Sequence, residues 1–289
     1  MLGFIIPDLE KIPTAVVVIL LAGVIFLACF KIEIAQIKKV SVFKLASFLG
    51  LRFIVLPLIL FFLLQYFSKT LALGVCLIAL LPPGTSSPAF SHVYRGNTAL
   101  AFALLLTGSL LAPFSIPFVI SLVVGHHLTI STSSMIITLV LSIILPMLIF
   151  LFLKNMKPLR VWADREGPVI SIVLIGMTLT IAVAKRKDII LHSPHVLLLF
   201  IIVSSIAIGL FYLVGWCFYK KANLPEKTTY SLCSGANNLS LGITIALLYF
   251  PPEVALFLVA AEIPWILAFI PFKRWIKKRT GRSPWINEN

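Results

Sequence analysis

Charge is scarce in this chain. Of its 289 residues only 12% are Asp, Glu, Lys or Arg, while 60% are hydrophobic, and the mean hydropathy is +1.08. A soluble domain has no interior large enough for that much apolar side chain. Long polar stretches are missing too, so neither a linker nor an extramembrane domain is expected. The four cysteines, Cys29, Cys76, Cys217 and Cys233, all fall within apolar runs. They form no CxxC pair and no Cys/His cluster, so neither a disulfide framework nor a zinc site is indicated. No GxxxxGK[ST] phosphate loop is present, which excludes a built-in ATPase of that type. No cofactor and no metal centre are expected. What remains is a series of continuous apolar runs near the ~20 residues that a helix needs to cross a bilayer. Continuous rather than alternating runs exclude a membrane barrel. The fold class is therefore all-α, a polytopic membrane protein.

Nine spans are predicted, at about 13–30, 43–66, 70–92, 97–124, 132–153, 168–185, 194–219, 228–250 and 253–275. The first run follows "PDLEKIP" and reads as a retained helix rather than a cleaved signal, because its flank is barely basic. The net charge of +14 would suit nucleic acid, but the basic residues lie mostly in short loops, where they report topology instead. With the N-terminus outside, the inner segments hold eighteen of them: Lys31, Lys38, Lys39, Lys44, Arg95, Lys154, Lys157, Arg160, Arg165, Lys220, Lys221, Lys227, Lys273, Arg274, Lys277, Lys278, Arg279 and Arg282. The outer segments hold only Lys11, Lys69, Lys185, Arg186 and Lys187. The expectation is a cell (inner) membrane protein with its C-terminus cytoplasmic.

Two of these spans break the rules for a membrane helix. "LLPPGTSSPAFSHVYRGN" (80–97) contains Pro82, Pro83, Gly84 and Pro88, which cannot continue a regular helix, beside Thr85, Ser86 and Ser87. "SLCSGANNLSLG" (231–242) carries Gly235, Asn237, Asn238 and Gly242 inside an apolar run. Unwound backbone facing lipid costs several kcal/mol per unpaired group, so it belongs where protein or a wet cavity surrounds it. The bland alternative is a proline kink with Ser and Asn gluing neighbouring helices together. Breaks in the third and eighth spans match if an inverted repeat of five plus five has lost its first helix. Such pairing points to the substrate site of a secondary transporter.

The two broken segments resemble signatures of the bile acid:sodium symporter family. "LLPPGTSSPAFSHVYRGNTAL" is similar to its "CPGGTxSN…GN..L" pattern and "SGANNLSLGITIAL" to its "E.G.QN..L...L" segment. The resemblance runs from about Val16 to Ile276. It implies a single transporter domain over 1–289. Core helices at about 43–124 and 194–275 would carry two crossed discontinuous helices, and a panel domain would consist of helices at about 13–30 and 132–185. Substrate would bind near the crossing and alternating access would follow from relative motion of core and panel.

The departures from the family pattern bear on coupling. The family's acidic sodium ligand is matched by Cys233, an asparagine ligand by Pro88, ligands on the next helix by Ala101 and Leu105, and a glutamine by Arg52. The resemblance with these departures implies a secondary transporter of small organic anions without sodium coupling of the family type. Rival readings are a proton-coupled or facilitative exporter of the auxin-efflux type, and a membrane sensor or scaffold that moves nothing.

Two charges fall deep in predicted spans, Arg52 and Glu262, and such residues face protein or water and find partners. They could pair with each other. Alternatively Arg52 stands at the crossing as a fixed cation and Glu262 carries a coupling proton. The expected substrate- or ion-binding residues are Thr85, Ser86, Ser87, Asn237, Asn238 and Arg52, and the expected hinges are Pro82, Pro83, Gly84, Pro88, Gly235 and Gly242. His92 reads as interfacial, and His126 and His127 as an outer loop. Ser86 and Ser87 lack an acid–base partner, so no catalytic residue and no enzyme is expected. The partners are an organic anion and the bilayer; no nucleic acid is expected, and the sequence leaves the oligomeric state open.

Overall fold

The structure is a computed structural model that describes residues 8–31, 40–125 and 131–280. Lys38, Lys39, His126, His127 and Arg282 lie outside the described residues. The described residues are helical almost throughout. Among the described residues six helices are long and apolar enough to cross a membrane, and three apolar helices are shorter. The all-α polytopic class is therefore observed.

In chain order the helices are α1 (Ala15–Cys29), α2 (Val42–Leu64), α3 (Lys69–Leu80), α4 (Ser87–Val93), α5 (Thr98–Val124), α6 (Thr132–Leu153) and α7 (Lys157–Ala184). There follow a short α8 (Lys187–His192), then α9 (Pro194–Cys217), α10 (Leu224–Gly235), α11 (Leu239–Tyr249), α12 (Pro252–Leu267) and α13 (Phe269–Thr280). Side-chain caps explain several of the starts. Ser68, Asn97, Ser131, Asn223 and Asn238 each accept a hydrogen bond from a backbone N–H in the first turn of α3, α5, α6, α10 and α11 respectively, which satisfies donors that the helix itself leaves unpaired.

Two expected boundaries are corrected. The sixth predicted span, 168–185, begins at Lys157 instead. Its first turns carry Lys157, Arg160, Asp164, Arg165 and Glu166, charges that no apolar-run criterion admits but that a helix reaching past the hydrocarbon tolerates. Pro158 suits the start of a helix, where its missing donor costs nothing. The last span, 253–275, divides at Ala268 into α12 and α13, and the helix continues to Thr280.

Two helices contain a wide turn. Leu51–Val55 in α2 and Val140–Ile144 in α6 are π-helical, and each comes immediately before a Leu-Pro pair, Leu56-Pro57 and Leu145-Pro146. A proline ring clashes with the carbonyl four residues back and supplies no donor, and a widened turn relieves both.

Burial is concentrated on the interrupted segments. Every residue from Leu71 to Pro83 is buried, as is every residue from Thr228 to Asn237. The periphery instead exposes large apolar side chains such as Phe62, Phe152 and Ile172, a surface that suits lipid. Close approach is made possible by glycine at two places. A Cβ on Gly74 would lie 2.4 Å from the Phe257 ring, and one on Gly215 would lie 2.3 Å from the Tyr230 carbonyl oxygen. These contacts bring α3 against α12 and α9 against α10.

Candidate functional site

The stretch after α3 and the stretch after α10 meet. Pro83 and Asn237 form an isolated antiparallel bridge, flanked by two backbone hydrogen bonds. Gly84 N–H donates to Ala236 O at 2.7 Å and Asn238 N–H donates to Pro82 O at 2.9 Å. Pro82, with no donor of its own, serves as acceptor, and Ala236 O receives a second bond from the Ser87 hydroxyl at 3.2 Å. A Cβ at Gly84 would sit 3.2 Å from Ala236 O, tight enough to push the two strands apart. Backbone groups that unwinding would leave unpaired in lipid are thus paired with one another.

Helix ends at this crossing present carbonyls with no intrahelical partner and carry the negative end of the helix dipole. Ala79 is in the last turn of α3 and Ser234 in the last turn of α10. The guanidinium of Arg52, which projects from the π turn of α2, donates to both: one terminal nitrogen to Ala79 O, and the other to Ser234 O at 2.9 Å and to Asn237 Oδ1 at 2.7 Å. Asn237 Nδ2 in turn donates to Ile78 O at 3.2 Å. Arg52 is 1% exposed, and its guanidinium carbon lies 4.9 Å from the centroid of the Phe211 ring. One cation therefore closes the C-terminal ends of two helices at once.

The pair Arg52–Glu262 does not form. Among the described residues Arg52 has no acidic partner, and Glu262, half-buried on α12, has no ion pair. The reason is geometric: the Arg52 donors are spent on carbonyls and an amide. Cys233 is buried in an apolar cluster with Phe48, Phe53, Ala101, Leu104 and Tyr230.

Thr85 and Asn238 face elsewhere. With Ile25, Cys29, Leu105 and Met147 they line a cavity of ≈ 20 Å³ between the crossing and helices α1, α5 and α6, room for about one water. Asn238 also caps α11 through Leu241 N–H at 3.2 Å, so the positive end of that helix adjoins the cavity. Ser86 is half-buried and Pro88 is buried in the first turn of α4. Gly235 and Gly242 lie within helices rather than at the unwound residues: a Cβ on Gly235 would lie 2.2 Å from the Tyr212 ring, and one on Gly242 2.7 Å from Leu81. They permit close packing.

Sequence reading did not assign two further polar contacts. Thr229 joins Ser91 Oγ at 2.8 Å and accepts from Asn97 N–H at 2.7 Å, tying the loop after α4 to α10. Tyr249, at the end of α11, lies 2.6 Å from Thr138 Oγ1 and donates to Ser134 O at 2.9 Å, both on α6. Lone hydroxyls inside apolar runs give no signal of their partners. Among the described residues no group of His, Cys, Asp and Glu is assembled that could hold a metal ion.

Comparison with known proteins places these features in context. The model of the Sodium Bile acid symporter family matches residues 18–193, a stretch that includes Arg52 and the first break. An uncharacterized sodium-dependent transporter of Bacillus subtilis, YocS, is 25% identical over 258 residues, covering 87% of this chain and 79% of the relative. The YbaS protein of the same organism is 24% identical over 190 residues, 63% of this chain and 61% of its own. The probable sodium/metabolite cotransporter BASS1 of Arabidopsis thaliana chloroplasts is 24% identical over 210 residues, 71% of this chain and 51% of its own.

Proposed function

The chain belongs to the sodium bile acid symporter family, and from that premise we propose that this secondary transporter carries small organic anions by alternating access without sodium coupling of the family type. The observation that carries the proposal is the set of hydrogen bonds from Arg52 to Ala79 O, Ser234 O and Asn237 Oδ1. A sodium ion at the crossing would be stabilised by such carbonyls and by hard oxygen ligands. Here a permanently charged guanidinium takes the carbonyls, and Cys233 among aromatic side chains supplies no hard ligand. The residues present do not fit sodium. A second cation ~4 Å from Arg52 would be opposed by about 4 kcal/mol at an effective dielectric of 20.

The charge balance favours an anion. Arg52 offsets the negative ends of α3 and α10, which leaves the positive end of α11 beside the cavity uncompensated. Thr85, Ser86 and Asn238 would meet the substrate there, with Ser87, Asn237 and Arg52 behind them, while Pro82, Pro83, Gly84 and Pro88 hold the unwound shape. In this reading 1–289 is one domain with nine spans. The core comprises α2–α5 and α9–α13, the panel α1, α6 and α7, the N-terminus is outside and the C-terminus cytoplasmic. The Tyr249 bonds to Thr138 and Ser134 join core to panel and must break when the outer side opens.

Uptake of a labelled organic acid into proteoliposomes tests the proposal. Equal counterflow in sodium and potassium buffers is expected, and uptake driven by an imposed sodium gradient would overturn it. Glu262 supports a second reading, a proton-coupled exporter: it is half-buried and has no ion pair among the described residues. Under that reading Glu262→Gln abolishes uptake driven by a pH gradient; unchanged uptake removes the proton role.

A further inference from the structure

An apolar groove of ≈ 310 Å³ runs between α9 and α13; it shares no lining residue with the cavity at the crossing, and the transport reading makes no use of it. One wall is Gly209, Tyr212 and Leu213; the other is Pro271, Phe272 and Trp275. Its volume lies within the range of about 300–1,000 Å³ usual for ligand sites. Gly209 borders open space, since a Cβ there would meet nothing within 4 Å.

The groove ends in positive charge on both walls. Lys220 and Lys221, both exposed, follow directly on the end of α9. On α13, Lys278 and Arg279 stand three and four residues beyond Trp275 and so continue the groove face of the helix; Arg274 adjoins Pro271 in the same way, and all three are exposed. No acidic residue occurs in α13. An apolar slot with a basic mouth at a helix end complements one class of molecule.

We propose that α9 and α13 form a binding site for a single anionic glycerophospholipid, with one acyl chain in the groove and the phosphate held by Lys220, Lys221, Lys278 and Arg279. Juxtamembrane basic clusters attract anionic headgroups, and the groove adds a place for the chain that a flat basic surface lacks. The site reaches the crossing through packing. The inner face of α13 stacks Phe269 on Phe90 at 4.3 Å and Phe272 on Tyr94 at 5.3 Å, so a lipid that holds α13 in place also braces α4, the second half of the first interrupted segment.

The test is native mass spectrometry of the full chain in detergent with dioleoylphosphatidylglycerol or dioleoylphosphatidylcholine added at equal concentration. The unmodified protein is expected to retain one phosphatidylglycerol and to lose phosphatidylcholine. Replacing Lys220, Lys221, Lys278 and Arg279 by Gln is expected to weaken phosphatidylglycerol retention by roughly tenfold or more, as four headgroup-facing cations are lost. Gly209→Trp, which fills the slot and leaves every charge in place, is expected to abolish retention and serves as the independent test should the charge variant fail to fold. Equal retention of the two lipids, undiminished phosphatidylglycerol in either folded variant, or a lipid-free dimer closed by a second copy in the groove would each overturn the proposal.

Discussion

The Arg52 guanidinium donates a 2.7 Å hydrogen bond to Asn237 Oδ1, and the same amide donates to Ile78 O at 3.2 Å. Two residues 185 positions apart in sequence thereby close the C-terminal end of α3 between them. Arg52 adds the end of α10 through Ser234 O. The crossing of the interrupted segments is held by a side chain of the protein itself.

Stability should follow the shape of that side chain as well as its charge. Arg52→Met leaves Ala79 O, Ser234 O and Asn237 Oδ1 without this donor in the interior, and each buried acceptor left unsatisfied costs about 1–3 kcal/mol. Arg52→Lys keeps the charge but replaces a planar fork by a point donor, so it should fall between Met and the parent. Thermal unfolding in detergent reads the order. A Lys variant as stable as the parent would show that the fork is not used.

Asn237→Ala removes one acceptor from Arg52 and one of two donors to Ile78 O, which keeps the Leu81 N–H at 3.2 Å. Each buried group left unsatisfied costs about 1–3 kcal/mol. The expected result is a lower melting temperature, with a smaller drop than for Arg52→Met because two of the Arg52 bonds survive.

Much of the architecture is legible in the chain, for identifiable reasons. Pro82, Pro83 and Gly84 mark the first interruption because proline leaves a direct signature in sequence. Apolar run length locates most helices, and fails at Lys157, where a charged first turn belongs to the same helix as the span. Arg52 is visible as a buried charge, but its partners are not. Two are backbone carbonyls, which every residue possesses, so no pattern of side chains could point to Ala79 or Ser234. The same reasoning left pairing with Glu262 open until the geometry excluded it. Gly235 and Gly242 are conspicuous in an apolar run, yet their service is to let Tyr212 and Leu81 approach, which depends on helices distant in sequence.

Helix contact through glycine gives a contrast between two substitutions. Gly215→Ala forces a Cβ to within 2.3 Å of the Tyr230 carbonyl oxygen and should cost about 1–3 kcal/mol as α9 and α10 separate. Gly176→Ala on α7 meets nothing within 4 Å and should be neutral or stabilising by up to about 1 kcal/mol. Melting temperatures of the two variants should move in opposite directions or differ by that amount; equal loss in both would contradict the packing described for α9.

Tyr249→Phe removes the hydroxyl that meets Thr138 and Ser134 O. A net loss of about 0.5–1.5 kcal/mol shifts an opening equilibrium by roughly two- to tenfold. Spin labels at the exposed positions Ser133 and Glu253, on α6 and α12, should report a larger share of long distances in the Phe variant. An unchanged distance distribution would remove the bond from the gate.

The most direct measurement needs no knowledge of the substrate. The melting temperature of the purified protein is followed as sodium chloride replaces potassium chloride at constant ionic strength. Any ion that binds the folded protein alone raises its apparent stability with concentration. With Arg52 already serving the carbonyls at the crossing, the two salts should give superimposable curves across the whole titration. A sodium-specific rise that saturates would mean that a sodium site persists, and would contradict the role assigned to Arg52.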